Sequence, residues 1–228
     1  MIARLHFTVE GQTEEAFVNN VLGPHLASFS VYADVRRVLM SRKHGREFRG
    51  GLRDYERVKK DISNWINEDN NPDSFFTTML DLYALPQDFP DYNEAKKNSG
   101  HINKVNCIES AFGRDINFHR FIPYIQLYEF ETILLVNPQY LSDYFPDPSR
   151  ARAVNTIVEM VKPFQTPEEI NDDIRSSPSH RIIAEIPEYK DMKQSIGPII
   201  AGKIGLPRIR KACPHFNKWL ETLEKLGR

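Results

Sequence analysis

Three apolar runs in this chain stop at a carboxylate, and that recurrence constrains the fold more than any other feature. The runs close as Thr8-Val9-Glu10-Gly11, Met79-Leu80-Asp81 and Gln126-Leu127-Tyr128-Glu129. Residues 3–9 alternate apolar and polar side chains, whereas residues 74–80 are almost continuously apolar, the pattern of a strand buried on both faces. Residues 31–40, rich in β-branched and aromatic side chains, predict another strand, and residues 121–127 a fourth. Helical periods lie between them. Thr13 is expected to cap a helix carrying Ala16, Phe17, Val21, Leu22 and Leu26, with Glu14 and Glu15 favourable at its dipole. Residues 52–68 and 103–113 predict two more helices, and residues 84–100, with prolines and acids, a surface loop. Strand and helix in alternation imply an α/β fold with a mainly parallel sheet flanked by helices. From Glu131 onward, helical patterns and proline stops predict a helical C-terminal part. The reading divides the chain into an α/β core, residues 1–137, and a helical extension packed on it, residues 138–228.

In a parallel sheet the carboxyl ends of the strands share one edge, and ligands bind in the crevice outside it. Glu10, Asp81 and Glu129 are therefore expected to meet although far apart in sequence. Gathered carboxylates repel one another unless a cation neutralises them, and Mg²⁺ takes one or two carboxylates together with waters and phosphate oxygens. A single acid after a strand also serves as an ordinary helix cap, so the expectation rests on the three together. Glu131 competes with Glu129: the two share a face on an extended segment but diverge by about 200° on a helix. Glu129, nearer the strand end, is preferred.

Composition narrows the function classes. Cys107 and Cys213 form no CxxC pair, which excludes thiolate zinc sites and fits a reducing compartment. No stretch approaches the roughly 20 apolar residues of a membrane span, and the first residues read as a strand rather than a leader; a cytoplasmic protein without membrane contact is expected. Formal net charge is −1, yet residues 36–60 carry ten Lys and Arg against three acids. Within them the glycine-bearing loop 41–51 is expected to clamp phosphates through Arg42, Lys43, Arg46 and Arg49. No ordered phosphate-loop sequence is present, which argues against ATP hydrolysis, and no Gly-x-Ser-x-Gly elbow supports a serine hydrolase.

The opening Val9-Glu10-Gly11-Gln12-Thr13-Glu14 resembles the first motif of Toprim-like domains, where a strand ends in glutamate and glycine before a helix. More closely, the chain resembles the bacterial family called domain of unknown function 4276, placed among Toprim-like proteins and related to OLD-type nucleases. The likeness runs through residues 9–14 with 21–26, 77–83, 122–131, 178–182 and 213–220. It implies that Glu10 works in acid–base chemistry or metal binding and that Asp81 matches the first aspartate of a metal-binding Asp-x-Asp. Tyr83 stands where the second should be, so Glu129, Glu131, Asp88 or Asp91 is expected to replace it. Resemblance to related nucleases puts a catalytic lysine at Lys190, with Lys193 the other candidate; His180 and Arg181 are expected phosphate contacts. The implied function is a Mg²⁺- or Mn²⁺-dependent nuclease acting on nucleic acid, DNA first, beside a partner ATPase in defence against phage. The alternative, kept open by Tyr83, is a non-catalytic scaffold that docks on an ATPase or nucleic acid. Whether the chain forms a homodimer is left open.

Overall fold

The first strand, β1 (Ala3–Val9), buries Ala3, Leu5, Phe7 and Val9 toward one face, and His6 and Thr8 toward the other. Only a strand covered on both sides reads this way. The computed structural model describes residues 2–38, 42–43, 46–47, 52, 54–170 and 173–228, with backbone alone at 42–43, 46–47 and 174. After β1 come α1 (Gln12–Phe17), one π-helical stretch (Val18–Leu22) and α2 (Gly23–Ala27), then strand β2 (Val31–Arg37). A two-stranded antiparallel hairpin follows, β3 (Arg42–Lys43) and β4 (Arg46–Glu47), and then α3 (Tyr55–Glu68) and β5 (Ser74–Asp81). Helices α4 (Tyr92–Ala95) and α5 (His101–Ile116) lead to β6 (Phe121–Ile122) and β7 (Ile125–Gln126). The remainder is helical: α6 (Glu131–Leu134), α7 (Pro148–Val161), α8 (Pro178–Glu185), α9 (Tyr189–Ile204), α10 (Leu206–Ala212) and α11 (Pro214–Glu224).

The sheet runs β2-β1-β5-β6, every pair parallel, with β7 continuing beside β5. This is the α/β architecture with a helical C-terminal part that the strand–helix alternation implied. One apolar cluster joins β1 to α1, α2 and the C-terminal helices through Phe7, Phe17, Ile200 and Phe216; the other joins β5 to α3 and α5 through Phe76, Ile62 and Phe112. Each such buried side chain contributes about 1.5–3 kcal/mol. Trp219 of α11 fixes the C-terminal helices to the sheet: its Nε1–H donates to Thr77 Oγ1 at 2.9 Å, and its ring stacks on Tyr124 at 4.0 Å.

Several local expectations change. The first helix opens at Gln12 with Gly11 as its cap, not at Thr13; Glu14 reaches back to accept from Gly11 N–H at 2.9 Å. Strand β2 ends at Arg37 rather than residue 40; residues 39 and 40 lie outside the described residues. The expected loop 41–51 contains the β3–β4 hairpin at the backbone level. Residues 84–100 are not simply a surface loop, because Leu85, Phe89 and Ala95 are buried in the second cluster and α4 lies within the segment. The strand expected over 121–127 splits at Pro123, which lacks an N–H. There Thr78 Oγ1 accepts from Tyr124 N–H at 3.0 Å and donates to Tyr124 O at 2.8 Å, so a side chain replaces the ladder.

Candidate functional site

Strands β1 and β5 are neighbours with Val9 opposite Met79, so parallel pairing brings Glu10 and Asp81 to one edge. Glu10 N–H donates to Met79 O at 3.3 Å, and Asp81 N–H donates to Glu10 Oε2 at 3.3 Å. The third acid arrives by a different route. β7 places Gln126 opposite Asp81, and two residues later Tyr128 takes a left-handed backbone, φ 62°. Such a conformation at a bulky residue costs about 1–3 kcal/mol. Tyr83 N–H holds the turn by donating to Tyr128 O at 3.1 Å. The turn sends the chain into α6 at the edge, and Glu129, just before that helix, and Glu131, in its first turn, both lie close enough to act on Asp81, so the choice of one over the other does not hold. Glu14, on the first turn of α1, is the fifth member.

The electrostatics record this crowding. Burial pushes Glu10 up to about 8, and the neighbouring charges of Glu14 and Glu129 add to it. Burial likewise pushes Glu14 up to about 7, with Glu131 adding. Asp81 is held well above the usual carboxylate range by burial, then by Glu10, Glu14, Glu131 and Glu129; its Oδ1 is buried with no hydrogen-bond partner. Glu131 is raised by burial against the opposing pull of Lys193. Glu10, Asp81 and Glu129 each keep some exposure to solvent, whereas Glu14 and Glu131 are buried. Three acids therefore face outward and two lie behind them.

Lys193 is the cation beside this group. Its Nζ lies 3.8 Å from Glu131 Oε1; burial lowers its pKa, but the fields of Glu131, Glu129, Asp81 and Glu14 outweigh that and raise it. Tyr189, one turn earlier on α9, donates its hydroxyl to Glu131 Oε1 at 3.2 Å. Lys190 is exposed on the same helix. Glu129 Oε2 accepts from Ser179 N–H at 2.9 Å, at the first turn of α8, where a helix N-terminus favours negative charge. His180 and Arg181 follow at once: His180 Nδ1 lies 2.8 Å from Ser177 Oγ, and Arg181 Nε donates to Ser176 O at 2.7 Å. Asp88 accepts from Tyr55 N–H and Asp91 pairs with Arg114, so both are engaged elsewhere. Arg42, Lys43 and Arg46 are described as backbone on the hairpin, and Arg49 lies outside the described residues.

One member of the group, Glu14, is not read from the sequence as a site residue; for the lysine, the structure brings Lys193, the second of the two candidates, beside the acids. With the cap expected at Thr13, Glu14 reads as a dipole partner, whereas the helix opens two residues earlier, after Gly11. Lys193 shares a helical face with Tyr189, Ile196 and Ile200 at spacings of four, three and four, which the periodicity of residues 189–200 carries.

Among the described residues no three His, Cys, Asp or Glu side chains are arranged to hold a metal ion. The donor set nonetheless fits a hard cation. Every side chain at its centre offers carboxylate oxygen, one of those oxygens is orphaned and buried, and Mg²⁺ asks for only one or two carboxylates with water and phosphate completing its shell. No helix among the described residues is long and apolar enough to cross a membrane.

A family model described as "Domain of unknown function (DUF4276)" matches residues 9–224. No curated protein matches. A solved structure, the C-terminal region of the Xanthomonas campestris pv. campestris OLD protein, is similar at 17% identity and a TM-score of 0.38, covering 96% of this chain and 97% of that one.

Proposed function

This chain belongs to the DUF4276 family, and from its acid cluster we propose that it is a divalent-metal-dependent phosphodiesterase of nucleic acid on a Toprim-like core. The observation that carries the reading is Asp81, with an orphaned, buried oxygen facing four other carboxylates. Such a group relieves its own repulsion by holding protons or by taking up a cation, and a bound cation lets the acids ionise. Asp81, Glu10 and Glu129 would hold Mg²⁺ or Mn²⁺. The ion, when bound, supplies an activated water and stabilises the leaving oxygen of a phosphodiester.

The chain's own residues do the rest. Glu10 Oε2 is engaged by Asp81 N–H, which leaves Oε1 to take the proton of the attacking water. Lys193, kept charged by the surrounding acids, offsets negative charge that builds on the phosphate. Ser179 N–H and the N-terminus of α8 fix the Glu129 carboxylate. The work beside a partner ATPase rests on the motif resemblance alone.

A second reading is favoured by a specific observation. Tyr83 occupies the second Asp-x-Asp position, and the described residues include no preformed three-ligand group. On that reading the chain is a scaffold that docks on a partner without cutting. Incubation with supercoiled plasmid and Mn²⁺ separates the two. Nicking by the wild type that Glu10→Ala and Asp81→Ala both lose supports the enzyme; absence of both Mn²⁺ binding and nicking supports the scaffold.

A further inference from the structure

Arg37 is the last residue of β2, opposite Val9 and thus one strand over from the residue that precedes Glu10. Val38 N–H donates to Val9 O at 2.9 Å, which fixes this end of β2 against β1. Ala33 and Val35 pack on the cluster shared with α1, and side chains two apart share a face, so Arg37 turns toward α1 as well. There its Nε lies 3.0 Å from Glu15 Oε2. The first turn of α1 therefore does two things: Glu14 joins the acids, and the adjacent Glu15 holds the Arg37 guanidinium.

That guanidinium is incompletely used. Its Nη1 is buried with no hydrogen-bond partner among the described residues. Arg36, one residue earlier and on the opposite face, contrasts with it: Nη1 lies 2.5 Å from Glu68 Oε2, and the guanidinium covers the Trp65 ring at 4.3 Å. A planar fork anchored at one nitrogen and unpartnered at another suits a phosphate oxygen, because less side-chain freedom is lost on binding. The acids by themselves repel a phosphodiester; a fixed cation on their flank gives the backbone a place to rest.

We infer that Arg37 is a phosphate-binding residue of this site, receiving a non-bridging oxygen of the nucleic-acid backbone through its partly exposed guanidinium. The inference rests on the phosphodiesterase reading and names how that site holds its substrate.

The test measures two affinities on the full chain: for Mn²⁺, and for a short fluorescein-labelled DNA duplex across a series of salt concentrations. Arg37→Gln should weaken DNA binding about tenfold and make the salt slope shallower by about one, with Mn²⁺ affinity unchanged. Mn²⁺ affinity also reports that the site has folded. Arg37→Lys should keep the slope while losing part of the affinity, since it retains charge without the fork. Arg36→Gln, which removes the same charge from the opposite face, should bind DNA as the wild type does. Wild-type affinity and slope in Arg37→Gln would overturn the inference and leave the phosphodiesterase reading standing. An equal loss in Arg36→Gln, or loss of Mn²⁺ binding in Arg37→Gln, overturns it too. A wild-type protein that binds neither Mn²⁺ nor DNA removes the phosphodiesterase reading, and this inference with it.

Discussion

Glu168 and Asp81 are both acids sunk into the same fold, yet they are treated in opposite ways. Glu168 accepts from His215 N–H at 3.0 Å and Phe216 N–H at 3.1 Å, capping α11 with both oxygens; burial raises it, and those two donors pull it back. Asp81 has an orphaned Oδ1 and stands among four other acids, with Lys193 as a nearby cation. A carboxylate given donors holds helices in place. One set among more carboxylates is, on the proposed reading, a place for a cation from outside. The contrast separates architecture from chemistry within one chain.

The sharpest way to break the contrast is Asp81→Asn, which keeps the shape and removes the charge. Nicking of plasmid in Mn²⁺ should fall by 10²–10³-fold, about what loss of one electrostatic anchor costs, while the metal-free fold becomes more resistant to urea. Undiminished nicking would mean that Asp81 is as structural as Glu168. Next comes Glu168→Ala, which leaves two buried N–H groups without acceptors. Urea unfolding should register a loss of about 2–3 kcal/mol, with nicking per folded molecule unaltered.

A smaller effect follows pH. In the unfolded chain Glu10 and Glu14 ionise near 4.5, whereas in the fold they hold their protons up to about 8 and about 7. The unfolded state therefore sheds protons first, and the metal-free protein loses stability as pH rises from about 4.5 through about 8. Melting temperature recorded between pH 5 and pH 8 should decline without metal and flatten with Mn²⁺. Smallest of all, Lys193→Ala should slow nicking about tenfold, roughly 1.4 kcal/mol, and by more than Lys190→Ala. The reverse order would place the working lysine on the exposed face of α9.

Much of this edge was legible because strand ends are written in local pattern. Glu10 and Asp81 each follow an apolar run, and parallel pairing does the rest. The helical C-terminal part was legible in its periods and prolines. What local pattern hides is backbone departure. The left-handed Tyr128 lies immediately before the two glutamates that periodic reasoning set against each other, and no period encodes a reversal of φ. Pro123 did announce the break after β6, but the rescue by Thr78, 46 residues away, is tertiary. The phase of α9 puts Lys193 rather than Lys190 beside the acids, and that phase depends on where the helix begins, at Tyr189.

The bond from Ser179 N–H to Glu129 spans 50 residues and ties the sheet's edge to a helix of the C-terminal part. A fragment cut before Pro178 would retain every strand and still leave that glutamate without its backbone donor. The edge therefore cannot be transplanted as the first half of the chain alone, and any graft onto another protein must carry α8 with it.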